Sequence, residues 1–294
     1  MKIWTHIIAL SIILIMPALA FAGVYSYEDG NNVIGYVQTY EVKDHESLIE
    51  IARKFDLGYT EIIAANPELD PFIPGKGVSV EIPTSWILPD VIPSEGIVIN
   101  LSEMRLFYFF NLLGSQLVMT LPIGIGDEGN DTPVGNFRVI EKIINPSWYV
   151  PESIRKEKPY LPKVVLPGPD NPLGSHALRL SSGNILIHGT NKPWGVGRKV
   201  SHGCIRLYPE DIPRLFQLVS NDTKVTIVRQ PIKVGKKGSR VFIEVSNDPE
   251  VSRDYFHEAV ELLKKKNLVD VISVERLFKA LNDRTSIPLD ISKQ

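Results

Sequence analysis

One cysteine, Cys204, occurs in a chain of 294 residues. No internal disulfide can staple such a chain, so its fold must be held by an apolar core and by paired polar groups. The constraint matters because the N-terminus reads as an export signal. Met1-Lys2-Ile3 supplies a basic start, an apolar run extends from Ile7 to Met16, and Pro17 precedes Ala20-Phe21-Ala22. A basic start, a short apolar core and an A-x-A site make a secretory signal peptide, with cleavage expected after Ala22. The run is too short to span a bilayer comfortably, and the alternative is an uncleaved N-terminal anchor. A lipoprotein signal is excluded, because acylation needs a cysteine at the cleavage point. Cys204 is therefore either a buried filler or a working thiol.

The full chain carries a formal charge of −2, and Lys2 is the one charged residue of the signal, so the exported form is more negative by one. That balance gives no footprint for nucleic acid, which favours clustered Lys and Arg. The length allows one large or two moderate domains. The 22 prolines point to long ordered loops rather than long helices.

Residues 23–37, rich in Gly, Asn and Tyr, read as a lead-in. Gln38-Thr39-Tyr40-Glu41-Val42 alternates as a short strand. Leu48, Ile51, Ala52 and Phe55 then follow helical spacing until Gly58. Thr60 is the expected cap of a second short helix, Glu61 to Asn66, which Asn66-Pro67 stops. Val78 to Pro83 reads as a second strand. This small α/β unit (βααβ), residues 38–84, resembles a LysM module. The matching residues are Tyr40-Glu41-Val42, Glu46-Ser47-Leu48, Ile51-Ala52, Asn66-Pro67, Pro74-Gly75 and Val80-Glu81-Ile82-Pro83; Asp44-His45 stands where Gly-Asp is usual. The resemblance implies binding to N-acetylglucosamine-containing glycan strands of peptidoglycan. The alternative is a generic α/β subdomain with no glycan affinity.

Pro83, Pro89 and Pro93 mark residues 85–95 as a stiff linker. From Gly96 the texture becomes mostly β. Ile97 to Leu101, Arg105 to Phe110, Leu117 to Ile123, Phe137 to Ile140, Ile185 to Ile187 and Lys224 to Val228 are strand-like runs between turn residues. They define a domain over about residues 96–230. Between Asn145 and Asn171 a proline-punctuated stretch holds Trp148, Tyr149 and Tyr160, the composition of an ordered lid. A C-terminal extension, 231–294, shows a strand at Val241 to Val245 and helical stretches near Arg253–Lys266 and Ser273–Leu281.

The chemistry concentrates in Ser201-His202-Gly203-Cys204-Ile205-Arg206-Leu207 and in Ile187-His188-Gly189-Thr190. A thiol becomes a strong nucleophile on losing its proton, which a nearby His can take. A helix expected from about Pro209 would place its positive end near Cys204. Backbone amides around His202, Gly203 and Cys204 could form an oxyanion hole. Arg206 offers a forked donor for a carboxylate. Each residue also has a bland reading: a filler thiol, a hydrogen-bonding His, an Arg that braces its loop. His188, His202 and Cys204 are zinc donors by type as well, though no metal site is expected.

Those two motifs together resemble the signature of L,D-transpeptidases of the YkuD fold. Met104-Arg105-Leu106-Phe107-Tyr108, Pro122-Ile123-Gly124-Ile125-Gly126, Asp131-Thr132-Pro133-Val134-Gly135, Asn145-Pro146-Ser147-Trp148 and Gly168-Pro169-Asp170-Asn171-Pro172-Leu173-Gly174 support the match. The similarity is to periplasmic members that pair LysM with the catalytic domain. It implies a β-sandwich or barrel, no cofactor, and Cys204 attacking the tetrapeptide stem of peptidoglycan to form a thioester with release of D-Ala. It further implies His188 as base, oriented by the Gly189 carbonyl, with Ser201, Arg206 and Trp194 at the substrate. An amine acceptor would follow, from a second stem (a 3→3 cross-link) or an outer-membrane lipoprotein. Carbapenems would be covalent inhibitors. Capture of the thioester by water, giving an L,D-carboxypeptidase, and a non-catalytic wall-binding protein are the competing readings.

Overall fold

The computed structural model describes residues 23–248 and 254–293. The export signal read from residues 1–22 lies outside them. Nine strands form one curled sheet: β1 (Val24–Ser26), β2 (Gly96–Asn100), β3 (Arg105–Leu112), β4 (Ser115–Pro122), β5 (Gly135–Ile144), β6 (His176–Leu180), β7 (Leu186–His188), β8 (Ile205–Arg206) and β9 (Lys224–Val228). Their spatial order is β1-β4-β3-β2-β9-β5-β6-β7-β8. Neighbours run antiparallel except β2 beside β9 and β7 beside β8. The mostly β architecture matches the sequence expectation.

The central strands are buried on both faces, which is why they read as continuous apolar runs. Ile97 and Ile99 face one core with Leu106, Leu121, Ile187 and Leu215. Val98 alternates to the other face and joins Phe107, Phe109 and Val118. That second face packs directly on the N-terminal module. There a strand Gln38–Glu41 pairs antiparallel with Ser79–Ile82, around helices α1 (Leu48–Lys54) and α2 (Tyr59–Ala65). Leu48, Ile51, Ile62, Val80 and Ile82 share one core with the strands of the large sheet. Ser47 and Glu50 close a capping box on α1. Helix α2 starts two residues earlier than expected, at Tyr59 rather than Glu61, with Gly58 rather than Thr60 as its cap. The Glu61 carboxylate accepts the Gly58 N–H at 2.6 Å and does the capping work.

Two segments differ from the reading above. The stretch 85–95, read as a stiff linker, begins with a strand, Ser85–Ile87, paired to Val33–Gly35. Ser85 through Leu88 are all buried. The lead-in likewise supplies β1, an edge of the main sheet. Proline spacing marked where ladders stop, but Trp86, Ile87 and Leu88 are large apolar groups whose exposure would cost more than the linker's freedom gains.

Buried charges weld the parts together. Arg105 on β3, with no exposed surface, donates Nε to Glu61 Oε1 at 2.7 Å and Nη2 to Oε2 at 2.8 Å. It also donates to Thr120 Oγ1 and to the Asp56 carbonyl. Trp86 Nε1 donates to Glu61 Oε1, and the guanidinium lies 4.2 Å from the Trp86 ring centroid. On the other side Lys233 Nζ reaches Ile87 O, Glu103 and Glu244, while Ile87 N donates to Glu244. Lys233 belongs to a hairpin, Ile232–Lys237 with Arg240–Val245, that packs against α5 (Tyr255–Lys265) and α6 (Val274–Asp283) in a third core.

Breaking a buried ion pair on one side leaves an uncompensated charge and costs about 3–5 kcal/mol. Arg105→Met should therefore lower the unfolding free energy by about that amount in urea titrations, and adding Glu61→Leu should restore most of it. A loss below about 1 kcal/mol for the single variant would mean the pair does not hold the module to the sheet.

Candidate active site

The register of three strands decides which side chains meet. Leu178, Ile187 and Ile205 sit opposite one another across β6, β7 and β8, and all three point into the core. Arg179, Leu186, His188 and Arg206 alternate with them and rise from the opposite face. Cys204 immediately precedes β8 and continues that alternation. So a parallel pairing of β7 with β8 brings His188, Cys204 and Arg206 to one face of the sheet edge.

His188 is 3% exposed, and its Nδ1 lies 2.6 Å from the Gly189 carbonyl oxygen. With a carbonyl as partner Nδ1 must donate, which leaves Nε2 as the basic atom. Burial pulls the imidazole down to about 4, the Arg206 charge adds to the fall, and the Gly189 and Leu173 carbonyls oppose it. Burial raises the Cys204 thiol. The Leu186 N–H and the guanidinium groups of Arg206 and Arg179 pull it back part of the way. The thiol lies 3.8 Å from Asn184 O. Both desolvation shifts favour the neutral forms, so the resting site holds thiol and imidazole rather than thiolate and imidazolium.

The cysteine loop is rigidly held. Gly203 adopts φ +92°, a left-handed backbone that favours glycine, and its carbonyl accepts from Thr132 Oγ1. Ser201, buried to 1% exposure, donates its hydroxyl to the Cys204 carbonyl. Its side chain thus braces the loop. None of the amides of His202, Gly203 and Cys204 donates to a backbone carbonyl among the described residues. They remain available to a developing oxyanion. The helix after the motif, α4 (Asp211–Leu218), begins beyond Pro209, with strand β8 and Leu207-Tyr208 between it and Cys204. Positive charge at the thiol comes from Arg206 and Arg179, not from that helix end.

Beside the loop lies a cavity of about 440 Å³, walled by Trp148 and Tyr160 on one side and Trp194, His202 and Arg206 on the other. Trp194 sits on a short 3-10 turn, Pro193–Gly195, and is 56% exposed. The proline-rich stretch forms the facing wall. Its strands Trp148–Tyr149 and Val164–Val165 pair around α3 (Glu152–Glu157). Asn171, fully buried, ties its base by accepting from Leu173 N and donating to the Pro146 carbonyl. His202 Nε2 lies 3.7 Å from Glu157 of α3, so the cysteine loop touches the lid. Among the described residues no three His, Cys, Asp or Glu side chains converge as a metal site requires.

Residues 94–227 match the model of the YkuD L,D-transpeptidase catalytic domain. Over 282 residues the chain is 36% identical to "Probable L,D-transpeptidase YcfS" of Escherichia coli, covering 90% of this chain and 86% of that protein. The chain belongs to the L,D-transpeptidase family. A second Escherichia coli relative, "Probable L,D-transpeptidase YbiS", is 36% identical over 281 residues and 90% of each chain. "Probable L,D-transpeptidase ErfK/SrfK" of Salmonella typhimurium is 35% identical over 280 residues, covering 90% of this chain and 89% of that protein. Each match extends across the N-terminal module and the C-terminal extension as well as the catalytic sheet. In this member of the family, Arg179 and the Asn171 tie at the lid base went unread from the sequence. Arg179 alternates with core leucines and gave no sign of facing a thiol until β6 was known to lie beside β7.

A neutral resting pair has a kinetic signature. Alkylation of Cys204 by iodoacetamide should climb with pH through and beyond the ordinary thiol range near 8.5. No step should appear near 6.5, because His188 is already neutral above about 4. A rate plateau across acidic and neutral pH would reveal a thiolate–imidazolium pair and contradict this electrostatic reading.

Proposed function

We propose that the protein is a periplasmic peptidoglycan acyltransferase working through a thioester on Cys204. The observation that carries this reading is the shared face of Cys204 and His188, with a fork, Arg206, left open beside them. Arg206 Nε is buried with no hydrogen-bond partner, and its side chain lines the cavity. The donor is a tetrapeptide stem, cleaved between meso-diaminopimelate and D-Ala. His188 Nε2 takes the thiol proton as sulfur attacks the carbonyl carbon. The amides of the cysteine loop receive the negative oxygen. His188 then returns the proton to the leaving D-Ala amine, and the acyl group remains on sulfur. An acceptor amine attacks the thioester, the thiol re-forms, and a new amide carries the acyl group. The second stem of a 3→3 cross-link and a lipoprotein lysine both present such an amine.

Burial suits this order of events. A neutral base and a neutral thiol exchange one proton only when a substrate oxygen takes up the charge, so the nucleophile is spared idle oxidation. The N-terminal module, through its resemblance to LysM, brings the site to the glycan. Its loop exposes Phe72 at 61% and Ile73 at 81%, on a turn held by both their amides donating to Asp70 Oδ1. Exposed apolar side chains on an ordered loop suit the faces of sugar rings.

Cys204→Ala tests both halves. The full-length variant should pellet with purified sacculi as the wild type does. It should form neither the acyl-enzyme with a disaccharide-tetrapeptide nor a carbapenem adduct, both of which intact-mass spectrometry should show on the wild type. An adduct on the alanine variant would sink the assignment of the nucleophile, and failure of either form to pellet would remove the glycan tether.

A further inference from the structure

The cavity that His202 and Arg206 border, on either side of Cys204 in the sequence, is strongly cationic. Lys158, Lys192, Arg198 and Arg206 line it against one carboxylate, Asp170. Two of these groups are forks, and the Nε of each is buried with no hydrogen-bond partner. A buried donor left unpaired is costly, and a ligand carboxylate would relieve it. Arg206 follows from the cysteine motif. Arg198 does not, and its position has a separate cause.

Arg198 is held from outside the catalytic domain. Its guanidinium lies 3.4 Å from the centroid of the Tyr59 ring, at the start of α2 in the N-terminal module. The two backbones meet there with almost no room. Tyr59 N donates to Val196 O, and a Cβ placed on Gly197 would lie 2.1 Å from Tyr59 N. Gly197 N donates in turn to Ile123 O, and Ile125 N donates to Arg198 O, so the loop is also bound to the catalytic domain. Glu61, two residues along the same helix, is the partner of buried Arg105. The seam that joins module to sheet therefore also fixes Tyr59. A guanidinium stacked on an aromatic face keeps its edge donors free while losing its rotamer freedom in advance.

We propose that the N-terminal module completes the substrate site: Tyr59 positions Arg198, which with Arg206 reads two carboxylates of one anionic peptide in the cavity. The assignment rests on the acyltransferase reading and adds the ligand's charge pattern and the origin of its second anchor. Arg198 binds the peptide directly. Tyr59 is a positioning residue that acts through Arg198.

The test separates binding from chemistry by using full-length protein with Cys204→Ala as background. Calorimetry would compare a free tetrapeptide stem with the same peptide amidated at its carboxylates. Amidation should weaken binding markedly. Arg198→Gln should cost about tenfold or more on the anionic peptide, as expected for loss of a charge-assisted contact, and little on the amidated one. Tyr59→Leu should reproduce most of that loss, whereas Tyr59→Phe, which keeps the ring face, should bind as the parent does. Equal losses on both peptides, or Tyr59→Phe as weak as Tyr59→Leu, would overturn the proposal. Because no turnover is needed, an anionic peptide that binds with this pattern yet is never acylated onto wild-type Cys204 would instead count against the acyltransferase reading alone.

Discussion

A charge buried at a seam needs its partner from across the seam, and the Arg105–Glu61 pair imposes that condition here. Arg105 comes from the catalytic sheet and Glu61 from the N-terminal module. Neither would be stable where it sits without the other. The Glu61 carboxylate takes four donors, Gly58 N, Trp86 Nε1 and two nitrogens of Arg105, which fills its acceptor capacity. One carboxylate thus caps a helix, orients an indole and neutralises a guanidinium. Shared apolar packing does the rest, since Phe107 and Phe109 of the sheet lie in the same core as Leu48 and Ile62 of the module. Module and catalytic sheet behave as one body, and the cavity that His202 and Arg206 border inherits that rigidity through Tyr59 and Arg198.

The same physics acts at the catalytic pair with the opposite result. At the seam, burial is tolerated because the charges are matched. Among the described residues no carboxylate acts on His188 or Cys204. The third group of the site is the Gly189 carbonyl, a neutral acceptor that orients the ring without stabilising an imidazolium as an acid would. The nearest strong charge, Arg206, is positive and lowers His188 further. The site is electrically poised for an anion that arrives with the substrate. Positive forks line the cavity, the base is neutral, and three loop amides are unspent.

Much of this was readable in the residues. The two motifs located Cys204 and His188, apolar runs between turn residues marked the central sheet strands though not β1 or β6, and the proline-rich aromatic stretch announced a lid. The helices of the tail also appeared close to their expected places, over Tyr255–Lys265 and Val274–Asp283. What escaped notice depended on distant partners. A lone Lys233 in an apolar strand reads as a solvated group until Glu103 and Glu244 are seen around it. Trp86-Ile87-Leu88 reads as linker because the strand that pairs with it lies over fifty residues upstream. Ser201 lies within the motif, yet only the backbone path shows that its hydroxyl turns to the Cys204 carbonyl. Arg198 has no motif of its own, and its role rests on a ring from another part of the chain.

Muropeptide analysis of sacculi incubated with the purified enzyme bears most directly on the central claim, acyl transfer from a Cys204 thioester. The account predicts that tetrapeptide stems lose D-Ala and that the acyl group reappears in an amide to an added amine or to a second stem. Tripeptides accumulating alone, with ample acceptor amine present, would show that water captures the thioester and that the enzyme is an L,D-carboxypeptidase. Stems left unchanged, with the protein still bound to the wall, would contradict catalysis altogether.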